Sequence, residues 1–329
     1  MSLTMRTLVL AAIVFRATVT FLMAGDNPAA QQLLVAAEQQ SNLFHDQQDA
    51  FQMDVSFLAQ INTVVPGHLT LMWKARDRWW RKISIGNFEQ IDVQHGEMLY
   101  TTRNLGFTPV RVRELISLLE FAEGSDRLHV RKQKQRFENG TEMLCFQTEG
   151  QSYRKDHELC IDSVSHDLAS EEWKEPPDER RAERYTDYFA FEGHRYPRKL
   201  ELLVNGIKAL TVNVDHLTTA ALDESLLVPP KGAIERRQCA GMRHPIPVKT
   251  PDPAYPKSAS QNRLMGDTTV AMTVLADGSV TDVRLVGSAA RSMDDATLQT
   301  LKGWKFKPAM CGTEPVVSDI EVVVSFRLD

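Results

Sequence analysis

The chain has 329 residues, 43% hydrophobic and 25% charged, which is ordinary for a folded globular protein with room for two cores. Its formal net charge is −5 and it contains no long basic run. That excludes a nucleic-acid partner, whose phosphates would call for clustered Lys and Arg.

Taken in order, the chain starts apolar. Behind Arg6 it reads T-L-V-L-A-A-I-V-F, then Arg16, then A-T-V-T-F-L-M-A. A short positive region before an apolar stretch is the pattern of an export signal. Arg16 interrupts it, so residues 1–25 have two readings, a cleaved signal peptide or a retained N-terminal anchor. No Cys follows that could carry a lipid.

From Pro28 to about Gln48 the apolar residues Leu33, Leu34, Ala37, Leu43 and Phe44 share one side of a predicted helix. Strand-like runs follow. Phe51, Met53, Val55 and Phe57 alternate, and H-L-T-L-M-W-K, R-W-W-R-K-I-S-I-G and N-F-E-Q-I-D-V-Q-H come after them. Pro66-Gly67, Gly86-Asn87 and His95-Gly96 read as the turns of a meander. Val112, Leu115, Ile116 and Leu119 mark a second helix after Pro109. Further strands are expected at 128–134, 142–148, 158–162, 185–191, 198–203 and 209–217, the last two joined by an Asn205-Gly206 turn. Residues 171–184, charged and holding Pro176-Pro177, read as an exposed loop.

A helix, a continuous antiparallel meander and an embedded second helix make a curved sheet or half-barrel around a helix. Residues 28–230 resemble the LolA-like periplasmic lipoprotein-sorting carriers. The resemblance rests on the leading helix, W-K-A-R-D-R-W-W-R-K, Y-P-R-K-L at 196–200, the Asn205-Gly206 hairpin and D-E-S-L-L-V-P-P at 223–230. It implies that the concave face holds acyl chains, with Met53, Phe57, Met72, Trp73 and Trp79 as candidate residues for an apolar ligand. The competing reading makes these five the plain core of a β domain, since strand alternation buries such residues anyway.

Residues 231–252 are Pro-rich and read as a stiff linker of at most several nanometres. Beyond it the pattern is dense. A short helix follows Tyr255-Pro256, and strands are expected at 268–275 and 280–286 around Asp277-Gly278, a strong hairpin signal. Ser292 is the expected cap of a helix over 293–304, with Asp294 and Asp295 where the helix dipole favours negative charge. K-F-K-P follows, and Val322, Val324, Phe326 and Leu328 alternate in a last strand over 316–328.

These residues resemble the TonB C-terminal domain family. Tyr255-Pro256, Gly266, Asp277-Gly278, Val280, Ser288, Met293, Ala296, Trp304-Lys305-Phe306-Lys307-Pro308-Ala309 and Ser325-Phe326-Arg327-Leu328 carry the resemblance over residues 253–329. Asp267-Thr268 and Met293 depart from its usual, more apolar or Leu-bearing pattern. The resemblance implies a small α+β sandwich that grips a segment of an outer-membrane receptor as an added strand. Tyr255, Pro256, Val322, Val324, Phe326 and Leu328 are the candidate partner-binding residues.

Four cysteines, Cys145, Cys160, Cys239 and Cys311, allow three disulfide pairings. Cys145–Cys160 within a hairpin and Cys239–Cys311 are favoured; free buried thiols are the alternative. There is no C-x-x-C, G-x-S-x-G, H-E-x-x-H, P-loop or G-x-G-x-x-G pattern, and the nine histidines show no ligand spacing. No enzyme activity, cofactor or metal is expected.

The fold class is therefore α+β: an N-terminal antiparallel half-barrel with helices and a small C-terminal TonB-like domain. The leading functional expectation is a cell-envelope protein, periplasmic or anchored in the inner membrane, that binds an outer-membrane receptor or other envelope protein. Inner-membrane motor proteins are further expected partners, and strand exchange would allow a homodimer. The absence of a long Pro/Lys/Glu spacer counts against force transfer. The alternative is a soluble periplasmic carrier of a lipid or other apolar ligand.

Overall fold

The structure is a computed structural model that describes residues 28–45, 49–121, 129–138, 140–149, 155–175, 179–239 and 241–328. The export signal or anchor expected at 1–25 lies outside the described residues. Among those described, no helix is long and apolar enough to cross a membrane.

Helix α1 (Pro28–Ser41) opens the described chain. A first meander follows: β1 (Phe51–Gln60), β2 (Val64–Ala75), β3 (Arg78–Ile85), β4 (Phe88–His95) and β5 (Met98–Arg103). After α2 (Val110–Leu119) comes a second: β6 (His129–Glu138), β7 (Thr141–Glu149), β8 (Lys155–Asp162), β9 (Leu168–Glu175), β10 (Glu179–Phe191), β11 (His194–Val204) and β12 (Ile207–Thr219). Strand β12 pairs with β1, which joins the two meanders, and the short β13 (Ile234–Arg237) extends the sheet beside β5. The result is one open sheet of 13 strands, with β13 and β6 at its edges and no closed barrel.

Strand alternation gives the sheet one apolar face. Phe51, Met53, Val55, Phe57 and Ala59 of β1 are buried, and the residues between them are not. Helix α1 packs on β6, β9 and β11, and α2 on β11 and β12. Leu34, Leu115 and Leu118, all fully buried, thus fill the concave side together with Phe146, Leu200 and Leu210. Each such side chain contributes about 1.5–3 kcal/mol by leaving water.

Several expectations are corrected. The first helix ends at Ser41, not near Gln48. The Asn42 carboxamide oxygen accepts the Phe44 N–H at 2.8 Å, and that local turn leads the chain out of the helix while Leu43 and Phe44 stay buried. Pro66-Gly67 is no turn: both lie inside β2, paired with Leu58 and Phe57. A Cβ on Gly67 would come within 2.2 Å of the Phe57 ring, so this glycine serves close approach rather than chain reversal. The expected loop at 171–184 is mostly strand, in β9 and the first half of β10. Its charges are paired: Arg184 with Glu172 across the β9–β10 pair at 2.5 Å, and Arg181 with Glu179 of its own strand at 2.9 Å and with Glu114 of α2 at 2.5 Å.

The C-terminal part consists of β14 (Ile246–Lys249), α3 (Lys257–Gln261), β15 (Gly266–Val274), β16 (Val280–Gly287), α4 (Arg291–Leu301), β17 (Lys305–Lys307), β18 (Ala309–Cys311), β19 (Glu314–Val316) and β20 (Ser318–Phe326). Three of these form a sheet in the order β16-β15-β20, and β14 pairs with β17. Strands β13 and β14 both fall in the Pro-rich stretch 231–252. Val270, Met272, Val274, Leu301, Trp304 and Phe306 form the core between this sheet and α4. Disulfides join Cys145 to Cys160, which face each other across β7 and β8, and Cys239 to Cys311.

Candidate functional site

The hairpin between β15 and β16 turns at Asp277-Gly278. Gly278 has φ +78°, the left-handed region that other residues avoid, and a Cβ there would meet the Phe306 carbonyl oxygen at 1.9 Å. The Phe306 N–H donates to the Gly278 carbonyl at 2.9 Å, so the turn clamps the K-F-K segment against the hairpin. Within that segment Trp304 and Phe306 are buried while Lys305 and Lys307 are exposed. The Trp304 indole N–H donates to the Pro251 carbonyl at 3.0 Å, which ties the entry of this unit to the end of α4.

Helix α4 starts two residues earlier than expected, and Ser292 is not its cap. Ala290 holds the cap position without a side-chain bond. The buried Asp294 does the capping work from inside the helix. Its carboxylate accepts from the Thr268 hydroxyl at 2.8 Å, the Ala289 N–H at 3.1 Å and the Ser288 hydroxyl. One side chain thus joins α4, the loop before it and β15.

These elements leave β20 at the edge of the three-stranded sheet. It pairs along its whole length with β15, from Gly266–Phe326 to Val274–Ser318. Among the described residues, no other strand and no further backbone hydrogen bond meets it. An edge strand with unpaired N–H and C=O groups is a template for another chain.

The candidate partner-binding residues divide by parity. Val322 and Val324 face the α4 core. Phe326 is buried against Tyr255, ring centroids 5.5 Å apart and edge to face, beside Ala259 and Met293. Pro256 sits at the start of α3 and Leu328 lies beyond the end of β20. The structure brings Tyr255, Val324 and Phe326 together as packing. The residues of opposite parity, Asp319, Glu321, Val323 and Ser325, occupy the other face, with Val323 54% exposed. Sequence reading passed over these four, although the alternation that buried Val322 and Val324 already placed them.

On the large sheet, Met53, Phe57 and Trp73 belong to the concave core and Trp79 packs against it. Met72, of opposite parity, is buried outside that cluster. Trp73 is wedged between Phe44, 5.2 Å away edge to face, and Phe51, stacked at 6.4 Å. The cavity beside Trp73, Trp79, Ile116 and Leu119 measures about 10 Å³, room for one water molecule.

Two histidine features escaped the sequence, one because its residues are 149 positions apart and the other because strand pairing alone brings its members together. His45 and His194 meet at 3.1 Å through their Nε2 atoms. The buried His157 bridges Thr148 at 2.6 Å and Glu171 at 2.8 Å. Among the described residues the only cluster of three metal-type ligands is Cys145, Glu158 and Cys160, whose two sulfurs are bonded to each other.

With the Asp277-Gly278 clamp, the Asp294 network and the free edge in place, comparison with known families is decisive for one stretch. Residues 251–328 match the family model of the Gram-negative bacterial TonB protein C-terminal. No curated protein matches the chain in sequence. Among solved structures, the TonB C-terminal domain of Pseudomonas aeruginosa is similar at 23% identity, over 28% of this chain and 90% of that one, with TM-score 0.24. A LolA superfamily protein of Nitrosomonas europaea is similar at 13% identity, over 60% of this chain and 97% of that one, with TM-score 0.40. The MucA/MucB complex of Pseudomonas aeruginosa contains a chain similar at 9% identity, over 90% of this chain and 94% of that one, with TM-score 0.25. At these scores the structural likenesses carry no functional argument.

Proposed function

We propose that this is a cell-envelope protein whose TonB-like unit, residues 253–329, binds a partner protein by strand addition along β20 and so assists transport across the envelope. The single observation carrying this reading is the unpaired edge of β20 on a sheet whose sequence matches the TonB C-terminal family. In this reading the partner is an outer-membrane receptor or another envelope protein. Main-chain hydrogen bonds supply affinity, and the outward side chains Val323 and Ser325 add selectivity. In this reading residues 28–230 are a β-rich unit and 231–252 its connection to the TonB-like unit, with β13 of that connection added to the edge of the large sheet. Two disulfides suit the oxidising periplasm. The alternative, a carrier of lipid, draws on the curved sheet, but Phe44, Trp73 and Ile116 would have to part to admit an acyl chain.

Site-specific photo-crosslinking in cells tests the proposal. A crosslinker at Val323 is expected to capture an envelope protein, while one at Val164, 88% exposed on a turn of the large sheet, captures none. Failure to crosslink from position 323, or equal capture from 164, contradicts it.

A further inference from the structure

Between the large sheet and the face of β16-β15-β20 that α4 leaves uncovered lies a cavity of about 420 Å³. That is within the size range of small-molecule sites. Four arginines reach it, from elements far apart in sequence: Arg103 at the end of β5, Arg113 of α2, Arg236 of β13 and Arg284 of β16. Gly106 allows the last approach, since a Cβ there would lie 1.7 Å from an Arg284 guanidinium nitrogen.

The charges do not cancel. Arg236 forks onto Asp319 at 3.2 and 3.0 Å. Arg113 pairs with Glu321, and Arg284 lies 3.5 Å from Asp282. Three arginines thereby meet the three acids of the cavity wall. Asp319 accepts from Thr273 as well, at 2.6 Å, so it has little capacity left. Among the described residues, no carboxylate lies within ion-pair distance of Arg103. It donates to the Gly106 carbonyl at 3.1 Å, and its Nε is buried with no partner. Burial lowers its pKa from the ordinary guanidinium value; Asp319 and Asp92 oppose that, and Arg236 and Arg284 add to it. A half-buried cation among cations, with unused donors and no carboxylate paired to it directly, is costly unless an anion joins it.

We propose that this cavity binds a small organic carboxylate, with the Arg103 guanidinium as its central donor. One uncompensated positive charge matches one carboxylate, whereas a phosphate dianion would exceed it beside Asp282, Asp319 and Glu321. The guanidinium fork fits a carboxylate through two parallel bonds. Phe107, Ile234 and Ala271 offer apolar wall for the body of the ligand. Because the site lies under the sheet face and not along its outward edge, the inference is independent of strand addition. A ligand held by both walls would also stiffen the junction of the two sheets.

Isothermal titration calorimetry of the purified chain tests this, with hexanoate and benzoate as probes, benzamide as the neutral counterpart and inorganic phosphate as the competing anion. Saturable 1:1 binding of a carboxylate is expected, with none for benzamide and weaker binding for phosphate. Arg103→Gln should weaken it by about tenfold or more, while Lys208→Gln, on an exposed position of β12, leaves it unchanged. Melting curves are recorded alongside; if Arg103→Gln does not melt cooperatively, Arg284→Gln, on the opposite wall, is judged by the same criterion. The proposal is overturned by no saturable carboxylate binding up to about 10 mM, by equal binding of benzamide, by tighter binding of phosphate, or by affinity that survives the arginine variants.

Discussion

Two single residues hold the C-terminal unit in register. Gly278 combines a positive φ with close approach to the Phe306 carbonyl, so Gly278→Ala meets both backbone strain and collision. A loss of about 2 kcal/mol or more is expected in urea unfolding; an unchanged midpoint would refute the clamp. Asp294 is 5% exposed and accepts three hydrogen bonds. Asp294→Ala leaves the Thr268 hydroxyl, itself fully buried, without its acceptor, with an expected cost of about 2–3 kcal/mol. Three tyrosines of the large sheet bear on pH. Burial raises the pKa of Tyr185, Tyr188 and Tyr196 above the ordinary phenol value. Above pH about 10 the unfolded chain loses phenol protons that the folded chain keeps. Their contribution is therefore complete below that pH and declines as pH rises through it. The urea midpoint should be lower at pH about 11 than at pH about 8, and an equal midpoint would contradict the burial of these phenols.

At the scale of elements, the small unit was largely legible and the large sheet only in part. Turn chemistry is local, so Asp277-Gly278 and the alternation of Val322, Val324 and Phe326 placed β15, β16 and β20 within a few residues. The charged stretch 171–184 misled because its compensation is not local. Arg181 finds Glu114, 67 residues away on α2, and Arg184 finds Glu172 across the β9–β10 pair. Pro66-Gly67 misled for a related reason, since only the partner strand shows that Phe57 needs the space. The arginine-lined cavity was illegible altogether: Arg103 and Arg284 are brought together by the packing of two sheets. The disulfides span very different loops, 15 residues for Cys145–Cys160 and 72 for Cys239–Cys311. On chain entropy the longer loop contributes about 4.4 kcal/mol against about 3 for the shorter. Replacing Cys239 and Cys311 by Ser should therefore lower the urea midpoint more than replacing Cys145 and Cys160; the reverse order would show that loop entropy does not dominate.

At the scale of the whole molecule, ion pairs from α2 and from the large sheet reach the face of the small sheet. Arg113 meets Glu321, and Arg236 meets Asp319. Partly exposed pairs of this kind contribute about 0.5–1 kcal/mol each. Replacing both arginines by Gln should speed proteolysis between β13 and β14 by several-fold, and an unchanged rate would show that other contacts hold the sheets together. None of these pairs occupies the main-chain groups on the outer side of β20, so docking of the two sheets and capture of a partner strand are compatible. The central claim, that this edge receives a partner strand, is tested most directly by amide NMR of the isotope-labelled chain mixed with peptides from envelope proteins. The account predicts that at least one peptide shifts the amides of residues 318–326 as a continuous run. If no peptide shifts them, or if every binding peptide shifts only the amides of β16 or the large sheet, the claim is contradicted.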